Sequence, residues 1–371
     1  MTRKTPRTRA KPFAQIDVES ERGSYPVLIG AGLLSKVKAL LTEHAGHGSR
    51  AVVSCPPVWR LHGARLTSVT GRQPPLLMPD GERAKSLASV ARLYGGFDDR
   101  GLDRASTVVA FGGGVLGDAA GFAAATYLRG LRLVHVPTTL VAQVDSAIGG
   151  KVGVNLQTGK NLVGAFHPPT LVLSDPELLA TLPRREFRAG LYEVVKYGVI
   201  ASRALLDQVA NQLTAIFAHD LKAVTPVIVA CSRIKAEIVS TDERESGPRR
   251  ALNFGHTIGH ALEAITDYRR FRHGEAVAYG MLAASRLSVA RGALAEDDDA
   301  LLSALIARMG PLPLLTDLRI SDALDVIKRD KKVLQGRLHF VLATGLGSTT
   351  VTTDVGTRDL TAAMRGLGMT R

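Results

Sequence analysis

The sequence is poor in cysteine and in aromatic residues. Of its 371 residues, two are cysteine and one is tryptophan, and aromatic side chains make up 5%. Cys55 and Cys231 form no CxxC pair and no disulfide framework, so we predict a protein of the reducing cytoplasm. With so few aromatic side chains, stacking platforms for single-stranded nucleic acid would be hard to build, which argues against that class of partner.

Long apolar runs are missing as well. The longest weakly charged stretch, from Ser106 to Leu128, contains Asp118 and several glycines, so it cannot face lipid. Hydrophobic residues still make up 45% of the chain and charged residues 22%, which is enough for a core and excludes a mainly disordered protein. We therefore expect a soluble globular protein with no membrane partner.

Acidic residues are outnumbered by basic ones. The chain has 47 Lys and Arg against 34 Asp and Glu, a net charge of +13, and the first twelve residues carry five basic residues and no acid. We expect residues 1–14 to form a basic, disordered leader. Because no basic stripe is interleaved with aromatic residues, the remaining positive charge favours a small anionic substrate and not nucleic acid.

The first half of the sequence alternates strand and helix patterns. The apolar runs that predict strands are Tyr25–Ile29, Arg50–Ser54, Thr107–Phe111, Arg132–Val136 and Thr170–Ser174. Helical spacing occurs between them, over Leu33–Leu41 and Leu87–Phe97. Strands separated by helices indicate a largely parallel sheet covered on both faces. We predict an α/β domain over residues 15–184.

The second half has mainly helical patterns. Helical spacing covers Leu191–Val209, Leu221–Thr241, His256–Ala264, Ala276–Ala290 and Asp299–Met309. Near the end of the chain, Leu338–Leu342 and Thr349–Thr352 favour a short hairpin. We predict a mainly α-helical C-terminal domain over residues 185–371.

A glycine-rich turn links a predicted strand to a predicted helix. Residues 112–118, GGGVLGD, follow the strand TVVAF and precede helical spacing over Asp118–Tyr127. Glycines let the backbone approach an anion, and a helix N-terminus offers free N–H groups and partial positive charge. A plain strand-to-helix turn with close packing would have the same spacing, so both interpretations stay open.

Two polar segments follow this turn. Thr138 and Thr139 end the next predicted strand, at the sheet edge where nucleotides bind in α/β folds. Residues 145–161 then form a glycine-rich segment with two lysines and two asparagines. We interpret this segment as a loop that binds a ligand, because loops of this length and composition usually do.

Three histidines lie close together in the second half. His256 and His260 are four residues apart on one predicted helix, and His273 follows. Helical register alone names His256 and His260 as a metal-ligand pair with a carboxylate as third ligand. Glu193 is a candidate for that carboxylate, although it could instead form an exposed i, i+3 ion pair with Lys196.

Taken together, these motifs resemble those of the 3-dehydroquinate synthase family of sugar phosphate cyclases. The segments that carry the resemblance, from about residue 17 to 355, are GGGVLGDAAGFAAATYLRG, VPTTLVAQVDSAIGGKVGVNLQTGKNLVGAFHPP, EVVKYG, STDERESGPRRALNFGHTIGHALE, HGEAVAYGM and DKKVLQG. The resemblance implies a nucleotide-binding α/β domain followed by a helical domain, in a cytoplasmic homodimer. It also implies conversion of 3-deoxy-D-arabino-heptulosonate 7-phosphate to 3-dehydroquinate and phosphate, through NAD-dependent oxidation, phosphate elimination, reduction and aldol closure.

The resemblance further implies a metal site and a reactive centre. The ligands of a divalent metal, zinc or cobalt, would be Glu193, His256 and His273, which replaces the pair inferred from helical register. His260 would then act as an acid–base group. The implied catalytic residues are His260, Lys151, Lys196 and Glu245.

The implied binding residues lie in both halves of the chain. Arg129 would reach the phosphate of the substrate bound by the partner subunit. The other implied substrate-binding residues are Asp145, Lys151, Asn161, Lys196, Lys235, Arg249, Asn253 and one of Lys331 and Lys332. The implied NAD-binding residues are Asp80, Glu82, Lys85, Gly113, Gly114, Val115, Asp118, Thr138, Thr139, Lys151 and Lys160.

The sequence departs from the family pattern in two places. Many members have an acid or a Thr-Asn pair where this chain has Ser54-Cys55-Pro56-Pro57. This difference affects contacts to the adenine-side ribose of NAD. In the second place, Tyr192 replaces a small residue before Glu193. Two alternative activities stay open: another sugar phosphate cyclase, of the amino-dehydroquinate or valiolone type, and a metal-dependent NAD alcohol dehydrogenase. The cyclases would share the metal and NAD positions, whereas the dehydrogenase would release NADH.

Overall fold

The computed structural model describes residues 13–329, 333–334 and 337–370. Lys331, Lys332 and the first twelve residues of the expected leader lie outside this part of the chain. The chain divides into two compact units. Unit 1 comprises residues 1–138, 150–156 and 161–181, and unit 2 comprises residues 139–149, 157–160 and 182–371.

Unit 1 is built on a seven-stranded, mostly parallel sheet. Its strands are β1 (Ala14–Val18), β2 (Tyr25–Ile29), β3 (Arg50–Ser54), β4 (Leu76–Leu77), β5 (Thr107–Gly112), β6 (Arg132–Pro137) and β9 (Leu171–Ser174). Strands β7 (Lys151–Leu156) and β8 (Gly159–Phe166), which lie between β6 and β9 in sequence, form a separate hairpin. The strand order is β1-β2-β9-β6-β5-β3-β4, and within it only the β1–β2 pair is antiparallel. The predicted parallel sheet is confirmed.

Helices cover both faces of this sheet. They are α1 (Val37–Ala45), α2 (Pro56–His62), α3 (Thr67–Thr70), α4 (Leu87–Asp98) and α5 (Gly114–Thr126). Along β5, Val108 packs in one apolar cluster with residues of α4 and α5, whereas Val109 packs in another with residues of α1. Successive strand residues point to opposite faces, so this division places apolar layers on both sides of the sheet.

Unit 2 is mainly helical. Its helices are α6 (Arg184–Ala201), α7 (Arg203–Phe217), α8 (Leu221–Thr241), α9 (His256–Ile265), α10 (His273–Ala290), α11 (Glu296–Arg308), α12 (Ile320–Arg329) and α13 (Thr357–Gly366). Short strands also occur: β10 (Val333–Leu334), β11 (Arg337–Leu338), β12 (Phe340–Gly345) and β13 (Ser348–Thr352). In the part of the chain that the structure describes, no helix is both long and apolar enough to cross a membrane.

Two of the predicted segments form other elements than the sequence indicated. Helical spacing over Leu191–Val209 predicted one helix, but the chain forms α6 and α7, because Ser202 leaves helical geometry and its hydroxyl accepts the N–H of Leu205. The ligand-binding loop predicted over residues 145–161 is largely a hairpin, β7 (Lys151–Leu156) and β8 (Gly159–Phe166). Gly153 allows this pairing, because a Cβ there would lie 2.7 Å from the carbonyl oxygen of Val163.

Candidate active site

Glycines at helix crossings in unit 2 bring three candidate metal ligands together. A Cβ on Gly280 of α10 would lie 1.7 Å from the carbonyl oxygen of Gly255, the residue before α9, and Gly255 itself has a φ of +78°. A Cβ on Gly274 would lie 1.9 Å from the carbonyl oxygen of Ala189 in α6. Helices α6, α9 and α10 can therefore pack closely, and His273 stands at the N-terminus of α10.

Glu193, His256 and His273 form a compact donor set. Glu193 Oε1 lies 3.2 Å from His273 Nε2 and 3.8 Å from His256 Nε2. One donor atom from each residue lies within 4.8 Å of the others. His256 Nδ1 lies 3.1 Å from the carbonyl oxygen of Phe254. A hydrogen bond from Nδ1–H to this oxygen would leave Nε2 of the ring able to bind a metal. One carboxylate and two imidazoles suit zinc or cobalt.

His260 lies beside this set. Its ring centroid is 5.3 Å from that of His256 and 5.9 Å from that of His273. A second set of potential donors within 4.8 Å consists of His260, Glu263 and His273. Among the described residues, His256 and His260 share neither set, whereas His273 belongs to both. The geometry therefore favours Glu193, His256 and His273 over the ligand pair inferred from helical register.

Buried ion pairs connect this donor set to Asp145. Lys196 Nζ lies 2.6 Å from Glu193 Oε2 and 3.4 Å from Asp145 Oδ2, and Lys235 pairs with the other oxygen of Asp145. The side chains of Glu193 and Lys196 are 0% and 1% exposed. The alternative of an exposed i, i+3 pair is therefore wrong. The structure instead places two ammonium groups around two carboxylates in the interior of unit 2.

The surroundings of each carboxylate decide its charge. Burial alone would raise the pKa of Glu193 and Asp145, but neighbouring cations outweigh it. Lys196 and the two imidazoles hold the pKa of Glu193 below its usual value, and Lys196 and Lys235 hold the pKa of Asp145 well below 3.8. Burial lowers the pKa of Lys235 despite Asp145. For His273, burial favours the neutral ring, yet the carboxylates beside it raise its pKa to about 10.

A second polar group of unit 2 surrounds Arg249. This arginine is buried, its Nη2 donates to the carbonyl oxygen of Gly149 at 3.3 Å, and its backbone N–H donates to Asp242 Oδ2 at 3.1 Å. Asn253 donates to the carboxylate of Glu245, whose φ of +59° is unusual for a residue with a side chain. Guanidinium and amide donors of this kind suit a carboxylate or phosphate group.

The structure adds two residues that sequence reasoning missed. The hydroxyl of Tyr197 donates to Asp145 Oδ1 at 2.9 Å. Glu263 lies 3.3 Å from His273 Nδ1 and 3.0 Å from Lys160 Nζ, so Lys160, expected at the NAD site, lies with the histidines. Their positions in the sequence could have identified both residues as candidates. Tyr197 directly follows Lys196, and Glu263 lies one helical turn after His260.

The glycine-rich turn of unit 1 joins β5 to α5. A Cβ on Gly121 would lie 2.4 Å from Val152 and one on Gly112 would lie 3.0 Å from Leu116, so close packing accounts for part of the glycine content. Thr138 donates its backbone N–H to Gly112 at 3.0 Å. The Thr138 hydroxyl is buried and has no hydrogen-bond partner among the described residues. A buried hydroxyl of this kind at a strand end fits a phosphate or ribose oxygen.

A polar network lies in the same unit. Lys85 is buried and binds the side chains of Asp118 and Asn161. The backbone N–H of Asn161 donates to Asn155 Oδ1 at 2.9 Å, and Asn155 Nδ2 donates to Glu82 Oε1 at 2.7 Å. The network therefore joins residues expected to bind NAD with Asn161, which was expected to bind substrate.

The remaining sequence-predicted residues lie near or at the surface. Asp80 accepts the backbone N–H of Gly81 at 2.9 Å, and the hydroxyl of Thr139, in unit 2, accepts the backbone N–H of Ala142 at 3.2 Å. The partly buried residues are Gly113, Gly114 and Val115. The exposed residues are Asp80, Arg129, Lys151 and Asn161.

Of the two departures from the family pattern, Tyr192 and the first two residues of the segment 54–57 are buried, whereas Pro56 is exposed. Ser54 donates its hydroxyl to the carbonyl oxygen of Phe111 at 2.9 Å, so this hydroxyl stabilises the sheet. Tyr192 is fully buried, burial raises its pKa to about 12, and its hydroxyl has no hydrogen-bond partner in the described part of the chain. Nothing in these contacts shows a function for either residue.

Comparisons with known proteins agree with this geometry. Family models described as 3-dehydroquinate synthase N-terminal and 3-dehydroquinate synthase C-terminal match residues 75–189 and 190–333. A 3-dehydroquinate synthase of Solibacter usitatus (strain Ellin6076) is 43% identical over 340 residues, which is 91% of this chain and 95% of that relative.

Solved structures of other cyclases share the fold. A 2-epi-5-epi-valiolone synthase of Streptomyces hygroscopicus subsp. jinggangensis 5008, with NAD⁺ and Zn²⁺ bound, has 28% identity and a TM-score of 0.85, over 97% of this chain and 99% of that chain. A 2-deoxy-scyllo-inosose synthase complexed with carbaglucose-6-phosphate, NAD⁺ and Co²⁺ has 26% identity and a TM-score of 0.84, over 95% and 99%.

Proposed function

Because the chain belongs to the 3-dehydroquinate synthase family, we propose that it is an enzyme that converts 3-deoxy-D-arabino-heptulosonate 7-phosphate to 3-dehydroquinate and phosphate. This is a carbon–oxygen lyase reaction of aromatic amino acid biosynthesis. The observation that carries the proposal is the buried group in unit 2, where a carboxylate–imidazole donor set adjoins two lysines. An anionic sugar acid that must be oxidised at one hydroxyl needs both kinds of side chain.

The chain would hold its two cofactors through different residues. Glu193, His256 and His273 would bind zinc or cobalt, while the glycine turn, Thr138 and the Lys85 network of unit 1 would bind NAD. When bound, NAD supplies a reversible hydride acceptor and the metal lowers the pKa of a substrate hydroxyl. The role of the protein is to bind and orient the substrate.

Basic side chains would bind the charged groups of the substrate. Lys196 and Lys235 surround Asp145, so the three side chains offer two positive charges and one negative charge. Arg249 offers a planar fork that suits a carboxylate or phosphate. The other proposed substrate contacts are Lys151, Asn161, Asn253 and one lysine of residues 331–332.

Proton transfer would need few protein groups. Elimination requires a base near the proton that leaves, and the departing phosphate can itself be that base. His260 would exchange a proton with the substrate hydroxyl beside the metal, since an imidazole changes charge near neutral pH. Glu245, which accepts a hydrogen bond from Asn253, would keep that amide in place.

The same family membership supports proposals about assembly and location. We propose a homodimer in which Arg129 of one protomer reaches the substrate phosphate of the other, and a cytoplasmic enzyme. Arg129 is exposed and has a φ of +68°, directly after Leu128 with a φ of +51°. Two successive left-handed residues store strain, which is typical of functional positions.

A second cyclase activity is the alternative to test, because valiolone- and inosose-forming enzymes share this fold. The purified enzyme is given NAD, zinc and one of three sugars: the heptulosonate phosphate, sedoheptulose 7-phosphate or glucose 6-phosphate. Phosphate release and NADH absorbance are measured. We expect phosphate release with the heptulosonate alone and no net NADH, because the reduction step returns the hydride.

Two outcomes would contradict the proposal. Preference for a sugar without a carboxylate would indicate another cyclase, and stoichiometric NADH would indicate an alcohol dehydrogenase. The amino analogue of the heptulosonate, assayed in parallel, separates the amino-dehydroquinate activity. As a control, Glu193→Gln should lower turnover by about three orders of magnitude, since metal catalysis contributes several kcal/mol to the barrier.

A further inference from the structure

Glu263 has no role in the chemistry described above, yet it contacts a proposed metal ligand. It lies on α9 and is buried, and its Oε2 is 3.3 Å from His273 Nδ1. The other nitrogen of that ring, Nε2, lies 3.2 Å from Glu193 Oε1. The His273 imidazole is therefore held between two carboxylates, one at each ring nitrogen.

Lys160 fixes the orientation of Glu263. Its ammonium group donates to Glu263 Oε1 at 3.0 Å and also lies 4.4 Å from the centroid of the Tyr268 ring. A buried carboxylate that accepts from two donors cannot rotate without leaving one of them unsatisfied. The Oε2 atom is thereby kept pointing at His273.

We propose that Glu263 is a positioning residue for the metal centre, which accepts the Nδ1–H of His273 and so directs the metal, on displacing the other ring proton, to Nε2. This inference rests on the proposed function, because it needs Glu193, His256 and His273 to bind a metal. A neutral imidazole carries one ring hydrogen, and the acceptor beside one nitrogen decides which nitrogen carries it. A carboxylate acceptor also makes the opposite nitrogen a stronger ligand.

A second metal site is the competing interpretation. His260, Glu263 and His273 offer donor atoms within 4.8 Å of one another. A cation there would lie close to the Lys160 ammonium, which already pairs with Glu263. His273 Nδ1 would also have to lose its hydrogen. The contacts therefore favour the positioning role, which predicts one metal ion per chain.

The test measures zinc binding to the full-length chain, separately from activity. Zinc affinity and stoichiometry are determined by competition with a chromophoric chelator, and the visible spectrum of the cobalt form reports ligand geometry. The variants are Glu263→Leu, which removes the acceptor, Glu263→Gln, which keeps a neutral acceptor, and Lys160→Met. Glu186→Gln is the matched control, because Glu186 pairs with Arg272, the neighbour of His273.

We expect one zinc ion per wild-type chain. Glu263→Leu should weaken zinc binding by about 10- to 100-fold, as measured for other carboxylate partners of ligating histidines, and should change the cobalt spectrum. Glu263→Gln should weaken binding less than Glu263→Leu, and Lys160→Met less than Glu263→Gln. Glu186→Gln should leave both readouts at the wild-type values.

Three results would overturn the inference: unchanged zinc affinity and cobalt spectrum in Glu263→Leu, an equal loss of affinity in Lys160→Met, or two zinc ions per wild-type chain. If Glu263→Leu does not fold, as judged by circular dichroism, Glu263→Gln decides, because it must still weaken binding more than Lys160→Met. A wild-type chain that binds no zinc would refute the proposed function itself, and this inference with it.

Discussion

Asp145 holds the positive charges of unit 2 in place. Its carboxylate pairs with Lys196 and Lys235 and accepts the hydroxyl of Tyr197. Lys196 also forms an ion pair with Glu193, whereas Lys235 forms its ion pair with Asp145. Removal of this one carboxylate would therefore leave a buried ammonium group without its counter-charge.

Asp145→Asn should destabilise the protein near neutral pH by about 2–3 kcal/mol, since breaking a buried ion pair leaves an uncompensated charge. The pKa of Asp145 lies well below 3.8 in the folded state, so its contribution is present above pH 3.8 and is lost as the pH falls below that value. The stability gap between wild type and variant should shrink from pH 5 to pH 2 (an approximate window). Urea unfolding across this range measures it.

The control for this substitution is Asp325→Asn. The Asp325 side chain is 63% exposed, so the loss of its charge should change stability by about 0.5 kcal/mol or less. Parallel stability curves for wild type and Asp145→Asn at all pH values would refute the argument, because they would show that the Asp145 carboxylate has the same pKa folded and unfolded.

At the scale of elements, close helix packing brings together the candidate metal ligands Glu193, His256 and His273. Helix α9 carries His256, α10 begins with His273, and glycines at their crossing allow the backbones to touch. No side chain fits on Gly280 without a shift of Gly255, the residue immediately before α9. The distance between the two imidazoles therefore depends on Gly255 and Gly280, which are not candidate metal ligands themselves.

Gly280→Ala should lower the free energy of unfolding by about 3 kcal/mol, because its Cβ would overlap the carbonyl oxygen of Gly255 and force the helices apart. It should also weaken zinc binding, since His256 and His273 lie on the two helices. The matched control is Gly95→Ala in α4, where a Cβ meets nothing within 4 Å. That substitution should stabilise the protein by about 0.5–1 kcal/mol.

Thermal unfolding and chelator competition measure both effects. Wild-type stability and zinc affinity in Gly280→Ala would show that α9 and α10 can separate without cost, contrary to the packing argument.

At the scale of the whole molecule, unit 1 exposes several large apolar side chains, and one of them, Leu128, directly precedes Arg129. Leu128, Leu162 and Phe166 are large apolar side chains that remain exposed in a single chain. Exposed apolar side chains of this size are common at subunit interfaces. They support the proposed homodimer, in which Arg129 acts on the substrate of the other protomer.

Mixed dimers test whether Arg129 acts across the interface. Arg129→Ala and Lys196→Met should each be nearly inactive alone. After the two are unfolded, mixed and refolded together, activity should return to about a quarter of wild type, because half of the dimers are mixed and each has one intact site. Steady-state assays measure the recovery. Full activity of Arg129→Ala alone, or no recovery in the mixture, would refute the trans arrangement.

Most strands of unit 1 could be predicted from the sequence, because buried parallel strands are short, apolar and bounded by turn residues. The strand Arg50–Ser54 and the helix Leu221–Thr241 have the predicted bounds. The segment after Asp145 was not predicted to be a hairpin, because its polar, glycine-rich composition is typical of a loop. It is a hairpin because β7 and β8, adjacent in sequence, pair with each other in a two-stranded sheet. Helix α12 was likewise missed.

The candidate site, too, could be predicted from the sequence only in part. Periodicity alone identified His256, His260 and Glu193 as candidates, because residue type and spacing along one helix are local properties, and family resemblance supplied His273 as a ligand. Spacing could not choose among these histidines, since that choice depends on how closely α6, α9 and α10 pack. Tertiary structure alone decided that Glu193 and Lys196 are buried together and that Glu263 joins Lys160 to His273. The physical reason is that distances across helices depend on contacts between residues far apart in the chain.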